Sequence, residues 1–173
     1  MLSLGLVVGT AGNVSAREGE LIYITPRGLP YGEMTEEDVV GMSLEGEAVE
    51  GAREPSSEWR VHHAIYAARP DVEAVVHTHS VHATAWSGLG EPLDTGVKEF
   101  AHAVGGPVRT TVDAAAGTDA IARAAVEALG GRQAALLARH GVVAVGGSLA
   151  QALLVSQVVE RHAQMAWLLG RPI

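Results

Sequence analysis

The hydrophobic positions of this chain fall into short apolar runs and into longer stretches with a helical period. Four runs, rich in Val, Ile, Leu or Ala and too short for helices, predict strands at 21–24, 75–79, 134–138 and 142–145. Apolar residues recur at helical spacing at 59–68, 81–86, 119–129 and 149–169. Because strands and helices do not strictly alternate, we expect an α/β fold: a three-layer αβα sandwich with a central, largely antiparallel mixed sheet.

The remaining stretches are less regular. Apolar residues at 2–8 predict the end of a helix or a buried segment, and Thr35 followed by Asp38 predicts a short helix that includes Val40. The polar, glycine-rich stretch 43–53 predicts a hairpin or a loop. Residues 98–102 show no clear period. The last helix is apolar on most of its circumference, so we expect it to be buried against the sheet or a partner subunit.

Two histidines end the apolar strand 75–79. Side chains alternate between the faces of a strand, so His77 and His79 project from the same face while Thr78 points away. Two imidazoles directed at one point form half of a metal site.

A third histidine, His140, lies at the break between two predicted strands and is followed by Gly141. A glycine turn there can direct the side chain toward a cleft, and three histidines with an open fourth position are typical of catalytic zinc. Mn²⁺, Co²⁺ and Fe²⁺ remain alternatives. The other histidines that we expect to be surface or satisfied core residues are His62, His63, His102 and His162.

Composition narrows the choice of partner and compartment. With 173 residues, 47% of them hydrophobic, we expect a single domain spanning 1–173. A formal net charge of −8 argues against nucleic acid and anionic membranes as partners. The chain has no cysteine, which excludes thiolate metal sites, and shows neither a membrane span nor a basic signal-peptide start. We therefore expect a cytoplasmic protein.

An acidic protein needs a local device to hold an anion. Gly12 and Asn13 lie in a loop of small residues, and Pro26 and Gly28 force a second turn. Ser56 and Ser57 precede the helix at 59–68, where they either cap the helix or hold a phosphate at its positive end.

Five ordered motifs resemble the class II aldolase/adducin family in sequence and spacing, over nearly the whole chain. They are Gly12-Asn13-Val14-Ser15, Thr25-Pro26-Arg27-Gly28, Pro55-Ser56-Ser57-Glu58-Trp59-Arg60, Val76-His77-Thr78-His79-Ser80-Val81-His82 and His140-Gly141. The resemblance implies the family's αβα fold, a homotetramer with active sites between subunits, and cleavage of a ketose 1-phosphate to dihydroxyacetone phosphate and an aldehyde.

The resemblance also assigns roles to residues. It implies one zinc ion per subunit, held by His77, His79 and His140, with Glu58 near or on the metal and acting as acid/base. It implies that the substrate phosphate is bound by Gly12, Asn13, Arg27, Gly28, Ser56 and Ser57. An imine mechanism is not expected, since the chain's only lysine, Lys98, lies outside the motifs.

One position departs from the family's aldolases and leaves alternatives open. By its spacing to Gly105 and Gly106, Glu99 replaces the tyrosine that protonates the leaving aldehyde. Glu99 could serve as that acid, or as the acid/base of the family's ketose-phosphate dehydratases, which resemble this chain in using a glutamate there. A third reading is a non-catalytic, adducin-like assembly module, which the three histidines and Glu58 disfavour.

Overall fold

A computed structural model describes residues 1–170 and contains one seven-stranded sheet. Its strands are β1 (Asn13–Glu18), β2 (Leu21–Ile24), β3 (Val40–Ser43), β4 (Ala48–Glu50), β5 (Ala74–Thr78), β6 (Ala134–Leu137) and β7 (Gly141–Gly146). The strand order is β4-β3-β2-β1-β5-β7-β6. Neighbouring strands pair antiparallel throughout, and the parallel contact is an isolated bridge between Thr110 and Leu136. The predicted antiparallel character is thereby confirmed.

Five helices cover the two faces of this sheet. They are α1 (Trp59–Ala68), α2 (Val81–Ser87), α3 (Lys98–Val104), α4 (Asp119–Leu129) and α5 (Leu149–Leu168). On one face, α1 and α4 pack on side chains such as Val143 and Val145. On the other, α2, α3 and α5 pack on the alternate residues Val142 and Ala144. Because the buried strands β6 and β7 present apolar side chains to both faces, the sheet is enclosed as the three-layer αβα sandwich that the sequence predicts.

The two predicted helical pieces differ in outcome: residues 2–8 include the buried Leu6 and Val7 and so fit the alternative of a buried segment, whereas the helix after Thr35 is wrong. Residues 2–8 form only a 3₁₀ turn, Leu2–Leu4, which ends at a left-handed Gly5. The helix expected after Thr35 is also a 3₁₀ turn, Glu36–Asp38, because Asp38 folds back on the Thr35 amide and Val40 continues into β3. The stretch 43–53 includes β4 and completes a hairpin with β3, and residues 98–102 are part of α3.

The centre of the sheet positions the candidate site. Strand β5 lies between β1 and β7, with Asn13 on one side and Val143 on the other as the partners of His77. The end of β5, the start of β1 and the start of β7 therefore meet at one edge, next to the beginning of α1. No helix within 1–170 is long and apolar enough to cross a bilayer.

Candidate metal centre

Four side chains from three distant segments converge at this edge. Glu58 is the N-cap of α1, His77 lies in β5, His79 follows that strand and His140 precedes β7. One ligand atom from each lies within 4.8 Å of the others, and the three imidazole centroids are each 4.8 Å apart. The structure thus brings together the four residues that the sequence analysis proposes as metal ligands.

The nitrogen and oxygen atoms of these side chains that could bind a metal face one another. His77 Nδ1 donates to the carbonyl of Val142 at 2.8 Å, so a neutral ring carries its lone pair on Nε2. That atom lies 2.9 Å from His79 Nε2 and 3.2 Å from Glu58 Oε2. Glu58 Oε1 lies 3.0 Å from His140 Nε2, yet it is buried without a hydrogen bond of acceptable geometry. Such a set of lone pairs fits a divalent cation of borderline softness.

The protonation states suit ligation. Burial, reinforced by the charges of His77 and His140, lowers the pKa of His79 to about 4, so this ring is neutral near pH 7. Burial opposes ionisation of Glu58, but the adjoining imidazoles of His140 and His77 outweigh it and lower the pKa of that carboxyl. His79 is therefore a neutral imidazole and Glu58 a carboxylate, the forms of these side chains that bind metals.

Close backbone packing holds the histidine segments in place. A Cβ at Gly141 would lie 2.3 Å from the carbonyl oxygen of Thr78, and a Cβ at Gly12 would lie 2.5 Å from that of His77. Arg139, just before His140, adopts a left-handed φ of 55° and forms an ion pair with Asp113. A bulky residue in that region stores strain, so the ion pair and the turn together hold His140 toward the cluster.

A cavity of about 270 Å³ opens beside the cluster and is lined by Glu58, His79 and His140. All residues predicted to bind phosphate line it, namely Gly12, Asn13, Arg27, Gly28, Ser56 and Ser57. Ser56 Oγ accepts a hydrogen bond from the Glu58 amide at 3.3 Å and so orders the turn before α1. The Arg27 guanidinium forms an exposed ion pair with Glu54 at 3.4 Å. Ser56 therefore has a structural contact in addition to its predicted role in phosphate binding. Arg27 places a cationic side chain in the cavity wall.

Glu99 is not brought to the cluster within this chain. It lies exposed in the first turn of α3, near His162, and is not among the residues that line the cavity. Helix α3 belongs to the layer of α5, whereas Glu58 belongs to α1 on the other face. A role for Glu99 at the metal therefore stays a prediction, and it would require a neighbouring subunit.

Sequence reasoning missed two contributors to the site. Ala116, in the segment before α4, lines the cavity, and an alanine in a loop gives no chemical signal. His62 is a buried histidine, as expected, but it contacts Asn13 Oδ1 at 2.5 Å. The spacing Glu58, His62, Tyr66 was a usable signal, because residues four apart share one face of a helix.

Comparison with known proteins gives consistent matches along the chain. Residues 1–167 match the family described as Class II Aldolase and Adducin N-terminal domain. The 5-methylthioribulose-1-phosphate/5-deoxyribulose-1-phosphate aldolase of Rhodospirillum rubrum is 44% identical over 165 residues, covering 95% of this chain and 74% of that protein. The L-fuculose phosphate aldolase of Escherichia coli K12 is 42% identical over 165 residues, covering 95% and 76%.

The fold comparison agrees with the sequence matches. A solved L-fuculose 1-phosphate aldolase superposes with a TM-score of 0.94 at 37% identity, over 99% of this chain and 83% of that chain. The similarity thus includes the strands and helices that position the histidines and Glu58. The chain belongs to the class II aldolase and adducin family, and within it to the metal-dependent aldehyde-lyases.

Proposed function

We propose that this protein is a zinc-dependent aldolase that cleaves a ketose 1-phosphate between C3 and C4, releasing dihydroxyacetone phosphate and an aldehyde. With L-fuculose 1-phosphate as substrate, the aldehyde is lactaldehyde. The observation that carries the proposal is a cluster of three histidines and Glu58 that opens directly into a cavity lined by small, hydroxylic and basic residues.

The residues of the cluster divide into holding and proton-transfer roles. His77, His79 and His140 would hold the ion. When bound, zinc would supply Lewis-acid stabilisation of the negative charge that develops on the C2 oxygen. Glu58 reaches the cluster from the start of α1 and also lines the cavity, so its carboxylate can move a proton at the substrate.

The cavity wall suits the phosphate end of such a substrate. Ser56 and Ser57 precede the N-terminus of α1, where the helix dipole favours an anion. Gly12 and Gly28 have positive φ angles of 75° and 69°, which lets the backbone curve around a ligand without side-chain obstruction. These features explain how a chain of net charge −8 could bind an anion.

The relatives support two other substrates for the same cleavage. The name of the Rhodospirillum rubrum relative specifies 5-methylthioribulose 1-phosphate and 5-deoxyribulose 1-phosphate, and a 42% identical Bacillus thuringiensis relative is named 5-deoxy-D-ribulose 1-phosphate aldolase. All of these substrates are ketose 1-phosphates and differ at the end far from the phosphate. Dehydration of methylthioribulose 1-phosphate is less well supported, since the relatives described above are named aldolases.

The deciding experiment assays the purified protein with L-fuculose 1-phosphate, 5-deoxyribulose 1-phosphate and 5-methylthioribulose 1-phosphate. Release of dihydroxyacetone phosphate is measured by a coupled assay that reduces it enzymatically. Loss of water is measured by mass spectrometry. We expect cleavage that a chelator abolishes and zinc restores. His79→Ala should lose metal and activity together, because the described chain offers no spare ligand nearby. Water loss without cleavage would select the dehydratase, and full zinc occupancy in His79→Ala would contradict the ligand assignment.

A further inference from the structure

A buried chain of hydrogen bonds runs from the metal cluster into the protein. Asn13 Nδ2 lies 2.9 Å from Glu58 Oε2, and Asn13 Oδ1 lies 2.5 Å from His62 Nε2. His62 Nδ1 lies 2.7 Å from Ser15 Oγ, which lies 2.8 Å from the hydroxyl of Tyr66. All five residues are buried, and four of them are at most 3% exposed. Bulk water therefore does not compete for these bonds.

The hydrogen-bonded side chains come alternately from helix α1 and strand β1, and the distances between successive side chains on the two elements match. Glu58, His62 and Tyr66 are four residues apart at and within α1, a rise of about 6 Å per step. Asn13 and Ser15 are two residues apart on one face of β1, a rise of about 6.6 Å. Each strand side chain thus fits between two helix side chains. This register is set by backbone geometry and does not depend on a bound ligand.

Only one order of donors satisfies every link. A carboxylate can only accept, so Asn13 must present its NH₂ group to Glu58 and its carbonyl oxygen to His62. His62 must then carry its proton on Nε2 and accept at Nδ1 from Ser15. Since Ser15 uses its proton in that bond, its oxygen accepts from Tyr66. The chain is directional and ends on the carboxylate.

The state of His62 agrees with this order. Burial lowers the pKa of His62 to about 3, so the ring is neutral near pH 7 and has one donor and one acceptor. A histidine that only filled the core would need partners for its two nitrogens, but those partners need not lead to the catalytic carboxylate. Here the second partner is an amide whose other end contacts Glu58.

We propose that His62 is a positioning residue for the reaction: by binding Asn13 Oδ1 it keeps the Asn13 amide from rotating and so holds the Glu58 carboxylate in its working orientation. The kinetic part of this inference rests on the proposed aldolase function. Ser15 and Tyr66 act one and two steps further away by fixing the His62 ring. Without His62, Asn13 Oδ1 would lose the buried partner that fixes it, and the contact with Glu58 alone would have to hold the Asn13 amide in place.

The first test compares His62→Phe with His62→Gln. Phe fills the ring volume but cannot donate to Asn13, so we expect kcat to fall about tenfold, as for loss of one hydrogen bond near a charge, with KM within about twofold of wild type and metal content unchanged. Gln can place an N–H near Asn13 and should recover part of the loss. His63→Phe is the matched control, since His63 lies next on α1 and contacts the carbonyl of Leu44 instead. A His62→Phe protein with wild-type kcat would overturn the proposal.

A double-mutant cycle tests whether His62 acts through Asn13. In an Asn13→Ala background, His62→Phe should cause little further loss of kcat, because the amide that it orients is gone. If the two losses multiply fully, His62 does not work through Asn13 and the proposal is wrong.

A spectroscopic measurement keeps the inference separate from the reaction. Nitrogen-15 NMR of histidine-labelled wild-type protein distinguishes the two neutral ring forms. We expect the His62 proton on Nε2, and a proton on Nδ1 would overturn the order of donors even if the enzyme is active. Absence of cleavage with every ketose 1-phosphate would contradict the proposed function. The NMR result would still decide the direction of the hydrogen bonds between Tyr66 and Glu58.

Discussion

At the scale of single residues, Glu58 is the group on which the chemistry most depends. It lies within 3.2 Å of two histidine nitrogens and accepts a hydrogen bond from Asn13. A carboxylate at a helix start contributes under about 1 kcal/mol when it only interacts with the dipole. The contacts of Glu58 instead place it at the cluster, where a change of charge alters both proton transfer and the ligand set.

We predict that Glu58→Gln lowers kcat about 10²- to 10⁴-fold, the usual cost of losing a general acid/base. Gln keeps the length and can still accept from Asn13, so folding and three-histidine metal binding should be largely kept, with somewhat weaker metal retention. Kinetics and metal content are to be measured on the same preparation. Glu45→Gln, an exposed change in the β3–β4 hairpin, is the control. A metal-replete variant with kcat within a few-fold of wild type would remove Glu58 from the mechanism.

His62 also predicts how stability changes with acid. Its pKa in the folded protein, about 3, lies below the ordinary value of 6.5, so below pH 6.5 the unfolded chain binds a proton that the folded chain excludes. The stabilising contribution is complete above pH 6.5 and decreases as pH falls toward 3, by at most about 1.4 kcal/mol per pH unit. Urea unfolding of metal-free protein from pH 7 to 4 should show a shallower decrease for His62→Phe than for wild type. Equal slopes would mean that His62 is protonated in the folded state.

At the scale of elements, two arrangements shape the candidate site: the close contact of β5 with β7 and the position of the start of α1. Strands β5 and β7 meet so tightly near the cluster that Gly141 has no room for a Cβ beside Thr78. The start of α1 lies at the cavity, so its dipole and its preceding serines face the same space. Each arrangement has a substitution that tests it.

Gly141→Ala should disturb the metal centre through the backbone. The added carbon would overlap the Thr78 carbonyl at 2.3 Å, and Thr78 lies between His77 and His79, so β5 or β7 must move. We expect a loss of about 1–3 kcal/mol in unfolding free energy, together with reduced metal content. Gly131→Ala is the control, because a Cβ there meets nothing within 4 Å. Normal metal content in Gly141→Ala would show that the ligands do not depend on this contact.

Ser57→Asp tests the start of α1 as a phosphate site. The new carboxylate would repel the substrate phosphate, so KM should rise steeply, by tenfold or more, a change of about 1.4 kcal/mol in binding, while metal content stays normal. Ser57→Asn has a similar shape without the charge and should change KM much less. If both variants bind the phosphorylated substrate as wild type does, these serines only order the turn.

The elements show which local patterns can be interpreted from sequence. The strand ending in His77 and His79 and the helix starting after Glu58 were predictable, because alternation and capping act over a few residues. The segment after Thr35 was predicted to be a helix, and the segment 2–8 to be either the end of a helix or a buried segment. Each contains only one 3₁₀ turn, because local bonds at Gly5 and Asp38 end it. Short apolar pieces contain too few periods to separate these outcomes.

At the scale of the whole molecule, the exposed leucines of α5 bear on the predicted assembly. Leu149, Leu154 and Leu168 of α5 are 46%, 58% and 81% exposed, although the helix packs its other faces on β5 and β7. We predict a homotetramer, as the family resemblance implies, with Glu99 of one subunit completing the site of another. Light scattering should give four chains per particle, and dilution to monomers should lower activity. A monomer with full activity would contradict both statements.

The fold class was predictable from the order of elements, whereas the strand order was not. Pairing of β1 with β5 brings Asn13 beside His77, and this contact depends on packing of residues far apart in sequence. The histidines could be grouped as one site because each carried a local signal. Ala116 gave no such signal, and the place of Glu99 in the assembly depends on more than one chain.

The metal centre also has a consequence for the folding of the chain. Its ligands come from the start of α1, the end of β5 and the start of β7, which are distant along the sequence and meet only after the sheet has formed. An ion bound there acts as a removable cross-link between these segments, so part of its binding energy is folding energy. In a metal-poor cell the same polypeptide would open more often at the centre of its sheet, and its lifetime against proteases would follow the supply of metal.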